Sequence, residues 1–216
     1  MHEDATATDD LIRRAQAGDE SALAELFDRH RARLRQMIRM RLDRRLQGRV
    51  DPSDVLQDAF IDLSRKLPEY SGRDSLPFFI WLRLVVGERL LRVHRQHLGT
   101  AMRDAHREIS LGPRAMPEAS SASLAAQLLG QFTTASRVVA RAEMQALLLE
   151  TLNGLDPIDR EVIALRHFEE LSNDEVAAAM NLTKAAASKR YIRALLKLRR
   201  IVGEVPGLAD GMQSGS

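Results

Sequence analysis

Apolar residues return every three to four positions along most of this chain, the spacing that lines one face of a helix. The pattern predicts a first helix over residues 9–17, stopped by Gly18. Asp19 can cap a long second helix to about residue 47, with Leu23, Leu26, Phe27, Leu34, Met37, Ile38 and Leu42 on its inward face. "DPSD" opens a third helix. Asp51 is a natural N-cap, Pro52 suits the first helical position, and Asp54 sits well at the positive end of the dipole. That helix runs to about residue 67, where Pro68 ends it, and "PEYSGRDSLP" reads as a loop. A fourth helix follows over about 76–97. Its buried stripe is Phe78, Trp81, Leu82, Val85, Val86, Leu90 and Val93, and Arg83, Arg89, Arg92 and Arg95 lie mostly off it.

Between about residues 99 and 136 the periodicity fades into "ISLGPRAMPEASSAS" and "TTAS", rich in Ser, Pro, Ala and Thr. This predicts an extended linker with one short helix near 124–131, and no segment shows the two-residue period of a strand. Helical spacing then resumes over 138–152 and 158–168, the latter opened by Asp156–Pro157. "SNDE" at Ser172–Glu175 is a capping box that opens a short helix to Met180. After "NLT", Thr183 can cap a last helix from Lys184 to about residue 202. The expected fold is all-α. Residues 9–98 form one small helical domain, 99–137 a flexible linker, 138–203 a second domain containing a helix-turn-helix of winged-helix-like kind, and 204–216 a disordered tail.

Composition sharpens this picture. With 4% aromatic residues and 44% hydrophobic ones, the chain can build helical cores. The absence of cysteine excludes disulfides, zinc fingers and thiol nucleophiles. No apolar run is long enough for a membrane span, and the start "MHEDATATDD" is not a signal peptide, so a cytoplasmic protein is expected. The net charge of +2 hides strong segregation. Residues 29–49 hold nine arginines against the single acid Asp43, residues 184–200 hold seven basic residues and no acid, and residues 51–62 hold four aspartates and no base. Basic blocks on separate helices are an electrostatic footprint for nucleic acid.

The C-terminal helix pair has the pattern of a helix-turn-helix. Val176 and Met180 face inward, Ala177 supplies the small contact where the helices cross, and Leu182 plugs the turn. Ala187, Tyr191, Ala194 and Leu198 continue the inward stripe. Lys184, Ser188, Lys189 and Arg193 then share the face a major groove would meet. Ala185 can touch a thymine methyl or a sugar, Ser188, Lys189 and Arg193 can read bases, and Lys184 and Arg190 can contact phosphates.

Taken in order, the motifs resemble those of bacterial RNA polymerase sigma factors of the extracytoplasmic-function (ECF) type. "RAQAGDESALAELFDRH" resembles the opening of sigma region two, and "DVLQDAFIDL" its polymerase-binding helix. "YSGRDSLPFFIWL" resembles the loop and helix start that engage the minus-ten element. "LDPIDREVIALRHFEELSNDEVAAAMNLTKAAASKRYIRALLKLR" resembles region four, which reads the minus-thirty-five element. The resemblance implies polymerase contacts at Asp54, Gln57, Asp58 and Ile61, within an acidic stripe of Asp51, Asp54, Asp58 and Asp62. It implies capture of an unstacked promoter base by the loop containing Ser71, Arg73 and Asp74, with Arg83, Arg89, Arg92 and Arg95 facing DNA. Trp81 falls on the apolar stripe and is expected in the core. Two places depart from the family: Gly87–Glu88 stand where many members carry Arg-Asn, and Ala185, Ala186 and Ala187 replace the usual Gly, Thr and Val.

Core RNA polymerase and promoter DNA are therefore the expected partners, an anti-sigma factor is implied by analogy alone, and neither a membrane nor a small-molecule substrate is expected. The six histidines are scattered, and no glycine-rich phosphate loop or serine nucleophile motif appears, so no enzyme, metal or cofactor is expected. The alternative is a stand-alone regulator with a LuxR-type helix-turn-helix. The region-two-like motifs and the lack of a receiver or ligand-pocket pattern oppose it.

Overall fold

A computed structural model describes residues 2–72, 76–98, 108–111, 114–132 and 138–204. The chain divides into two compact units, 1–117 and 118–216. The division falls inside the stretch read as linker.

In the first unit, α1 (His2–Gln16) starts earlier than the apolar pattern suggested and turns at Gly18, whose φ of +96° suits glycine. Asp19 caps α2 (Glu20–Arg41), its carboxylate accepting from the amides of Ser21 and Ala22. Those bonds, the hydroxyl of Ser21 and the Arg14 guanidinium at 2.6 Å hold Asp19 ionised far below the ordinary carboxylate range. The second helix ends six residues short of expectation. Leu42 is extended, and the Asp43 carboxylate accepts from the amide of Arg45 (2.8 Å), giving the backbone a local alternative to another helical turn. The amide of Asp43 donates to Nε2 of His94 (3.2 Å), which ties this end to the fourth helix.

Asp51 and Pro52 open α3 (Pro52–Lys66) as the sequence predicts, with Asp51 accepting from the Ser53 amide at 2.7 Å. A short 3-10 turn, Leu67–Glu69, follows. The side chain of Gln16 donates to the carbonyls of Leu67 (3.1 Å) and Tyr70 (2.7 Å), and so fixes the start of the next loop against α1. α4 (Phe78–Leu98) is the central element, packed by α2, by α3 and by a short antiparallel hairpin, β1 (Glu108–Leu111) and β2 (Arg114–Pro117). The hairpin, with Ile109 opposite Met116, is the one β element among the described residues, and the periodicity missed it. It rests on Gly87. A Cβ there would lie 2.5 Å from the terminal methyl of Met116, itself 1% exposed. The departure from the family at residue 87 is therefore a packing feature, since the missing side chain makes room for the hairpin.

In the second unit, α5 (Ser121–Phe132) packs on α6 (Val138–Asn153) through Leu124, Ala125, Leu128 and Leu129. The segment "SASLAAQLLGQF" thus has a structural role. α7 (Pro157–Ile163) is capped by Asp156, which accepts from the Ile158 amide at 2.8 Å. It passes into a π-helical segment, Ala164–Phe168, rather than continuing as one α-helix. Glu118, just ahead of α5, pairs with Arg160 of α7 at 2.9 Å. α8 (Asn173–Met180) carries the complete capping box, Glu175 amide to Ser172 hydroxyl and Ser172 amide to Glu175 carboxylate. Asn181 turns the chain in the left-handed region (φ 52°), and Thr183 accepts from the Ala186 amide at the start of α9 (Lys184–Glu204).

Candidate nucleic-acid interface

The crossing of α8 and α9 is built from small and apolar side chains. Val176, Ala177, Met180, Ala187, Ala194 and Leu198 are buried, whereas Leu182 and Tyr191 are only half-buried. Among the six predicted readers on α9, Lys184, Ala185 and Lys189 are exposed and Ser188 is half-buried. Lys184 pairs with Asp174 (2.6 Å) at the surface, a contact of little energetic weight.

Arg190 and Arg193 are placed differently from expectation. Arg193 grips Asp159 of α7 with two bonds, Nε to Oδ2 at 2.8 Å and Nη2 to Oδ1 at 2.7 Å, and Arg190 adds a third at 2.7 Å. Asp159 is buried to 1% exposure. Burial opposes its charge, but the hydrogen bonds from Arg193 and Arg190 prevail and hold its pKa below the usual carboxylate value. Both arginines thus clamp the second helix of the pair to α7. Sequence reasoning gave Asp159 no role. The signal was its spacing of three and four from Val162 and Ile163, which puts it on the buried face of α7.

The N-terminal unit repeats this arrangement. Asp62 of α3, 8% exposed, takes Arg89 (2.8 Å) and Arg92 (2.7 Å) from α4, with Arg89 also 3.6 Å from Asp58. Asp62 therefore leaves the acidic stripe that was to meet a partner. Its pKa is also lowered, burial working against the charge and Arg89 for it. Glu88 pairs with Lys66, so the acid that would repel DNA is neutralised within the unit.

Three of the residues predicted to face DNA from this unit are buried or held within it, and two more lie outside the described residues. Arg83 is 1% exposed, because α4 is surrounded on nearly all sides and offers no polar face at that level. Arg89 and Arg92 are engaged by Asp62. Arg73 and Asp74 lie outside the described residues. Ser71 and Arg95 are exposed. Trp81 is half-buried and joins an aromatic cluster, with ring centroids 4.9 Å from Tyr70 and 5.9 Å from Phe78.

The four residues assigned to polymerase on α3 do share a surface. Asp54, Gln57, Asp58 and Ile61 are exposed at i, i+3, i+4 and i+7, opposite the buried Val55, Leu56, Ala59 and Leu63. Ile61 is 44% exposed, one of three large apolar side chains in the open among the described residues, with Ile192 and Leu196 of α9. No group of His, Asp or Glu among the described residues could hold a metal ion, and no helix there is long and apolar enough to cross a membrane.

Comparison with known proteins places these surfaces in context. A family model described as "ECF sigma factor" matches residues 5–201. RNA polymerase sigma factor NccH of Alcaligenes xylosoxydans xylosoxydans is 30% identical over 203 residues, covering 92% of this chain and 96% of that protein. RNA polymerase sigma factor CarQ of Myxococcus xanthus is 26% identical over 196 residues, covering 90% and 97%. Among solved structures, CnrH in complex with the cytosolic domain of CnrY has a similar fold, with a TM-score of 0.54, 24% identity, and coverage of 92% of this chain and 98% of that one.

Proposed function

The chain belongs to the ECF sigma factor family, and we propose that it binds core RNA polymerase and directs promoter-specific initiation by engaging the minus-ten and minus-thirty-five elements. The observation that carries this reading is the exposed stripe of α3. Asp54, Gln57, Asp58 and Ile61 share one exposed face of α3 and together form an apolar contact rimmed by negative charge, suited to a basic partner helix.

Upstream DNA is assigned to Lys184, Ala185, Ser188 and Lys189, at the exposed start of α9. Lys189 supplies the cation and Ala185 the apolar contact. Arg190 and Arg193 serve this surface from behind, by holding α9 in place. The minus-ten function falls to the loop after Tyr70, including Ser71, Arg73 and Asp74, and to Arg95. An anti-sigma protein is a further proposed partner. The exposed Ile192 and Leu196, one turn apart on α9, are a surface such a protein would cover, and CnrH, of like fold, was solved bound to another protein.

The test mixes the protein with core polymerase and a promoter library and maps transcript starts. Promoter-specific starts support the proposal; duplex binding that needs no polymerase, without such starts, overturns it. Gln57→Ala with Asp58→Ala should abolish polymerase binding and spare duplex binding by the C-terminal unit. Lys189→Ala should do the reverse.

A further inference from the structure

The arginine–aspartate clamp of the N-terminal unit sits beside an open pocket of about 390 Å³ between α3 and α4, lined by Asp62, Arg65, Lys66, Glu88, Leu91, Arg92 and Arg95. That volume is in the range of small-molecule sites. Four of its side chains are cations and two are anions. Both anions are already engaged inside the unit: Asp62 with Arg89 and Arg92, and Glu88 with Lys66. Arg65, from the last turn of α3, and Arg95, from the last turn of α4, have neither a hydrogen bond nor an ion pair among the described residues. Two open guanidiniums therefore line one concave site whose net charge is +2, over the apolar side chain of Leu91.

We infer that this pocket is a phosphate-ester site, in which Arg65 and Arg95 bind the phosphate oxygens while Lys66 and Arg92 supply positive field. The planar fork of arginine matches a phosphate oxygen pair and gives bidentate bonds that a solvated lysine does not. Phosphate also carries more acceptor oxygens than a carboxylate, so two separate arginine forks can share one group. The phosphate belongs either to the DNA backbone or to a free nucleotide. The first deepens the minus-ten role proposed above and rests on it; the second does not.

Inorganic pyrophosphate is the probe, titrated calorimetrically into the full chain at constant ionic strength set with chloride. Arg65→Gln with Arg95→Gln is the test variant. Both side chains are exposed and without described partners, so its unfolding midpoint should match the parent, which circular dichroism checks. The parent should bind one pyrophosphate, and the variant should bind it roughly tenfold more weakly or worse. A labelled single-stranded oligonucleotide forms the second arm. If the double substitution also lowers the slope of log affinity against log salt, by about one per lost contact, the occupant is a DNA phosphate. If the slope is unchanged while pyrophosphate binding is lost, the occupant is a free phosphate ester, and this result stands even if promoter-specific initiation fails. Pyrophosphate that binds no better than chloride, or equally well to the variant, overturns the inference. Lys189→Gln, in the other unit, should weaken duplex binding and leave pyrophosphate affinity unchanged.

Discussion

Each unit buries one aspartate on one helix and seizes it with two arginines, three residues apart, on another: Asp62 with Arg89 and Arg92, and Asp159 with Arg190 and Arg193. The settings differ. Asp62 keeps 8% of its side chain exposed and also feels Lys66, whereas Asp159 keeps 1% and, among the described residues, is held by Arg190 and Arg193 alone. The first clamp stands at the edge of a cationic pocket. The second lies directly behind the proposed DNA surface, and more than half of Arg193 faces solvent. The same pairing thus does two jobs, locking α3 to α4 in one unit and setting the pose of α9 in the other.

The largest expected effect comes from removing both arginines of a clamp. A buried carboxylate stripped of its partners costs about 3–5 kcal/mol. Arg190→Ala with Arg193→Ala should approach that loss, because no other cation among the described residues acts on Asp159. Arg89→Ala with Arg92→Ala should lose less, since Lys66 remains near Asp62. Trp81 is the only tryptophan and lies in the N-terminal unit, so its fluorescence follows that unit while circular dichroism follows both. Equal losses in urea unfolding would erase the distinction between the two clamps.

Acid is the next lever. Both aspartates have pKa values lowered in the folded state, so their stabilisation is complete above the ordinary carboxylate value of about 3.9 and drains away as pH falls through the folded pKa. Stability should therefore drop steeply below about pH 4. Asp159→Asn should cost about 1–3 kcal/mol at pH 7 and progressively less relative to the parent as pH falls below 4. A cost that stayed constant down to pH 2 would mean that the carboxylate's charge is not what the arginines hold.

These clamps also mark where sequence reading stopped. The starts of the capped helices were legible because each is decided by neighbours in the chain: Asp51 reaches Ser53, Ser172 reaches Glu175, and Thr183 reaches Ala186. On α3 the resemblance supplied Asp54, Gln57, Asp58 and Ile61, and the acidic stripe read from the sequence also included Asp62, which turns inward. Partners 27 to 34 residues apart leave no local trace, and Asp62 and Arg193 carried the signature of any surface charge. Arg83 was misjudged because the stripe was drawn too narrow for a helix packed from several sides. The hairpin escaped notice because four-residue strands are too short to display a period of two. Family resemblance supplied the polymerase and promoter roles that residue patterns alone left open.

Gly87 offers a smaller test, confined to the first unit. Alanine is the better helix former by up to about 1 kcal/mol, but its Cβ would press on the terminal methyl of Met116. Methionine is flexible, so the methyl can swing aside and Gly87→Ala should cost no more than about 1 kcal/mol. In a Met116→Ala background the obstacle is gone, and the same substitution should become stabilising. That change of sign in a double-mutant cycle isolates the contact between α4 and β2. A cost unchanged by Met116→Ala would place the strain elsewhere.

The smallest effect is expected where charge pairing is exposed. Lys184 and Asp174 are 2.6 Å apart, yet each side chain is more than 60% in solvent. Water already solvates both groups, so neither is stranded when the other leaves, in contrast to Asp159. Asp174 also sits in the first turn of α8, where an acid favours the helix dipole by a few tenths of a kcal/mol. Asp174→Ala should therefore destabilise by less than about 1 kcal/mol. It should also raise affinity for duplex DNA, because it frees Lys184 and removes a negative charge beside the proposed phosphate contacts. A stability loss as large as that from Asp159→Asn would show that burial is not what separates the two kinds of pair. A fall in duplex affinity would move the DNA surface away from the start of α9.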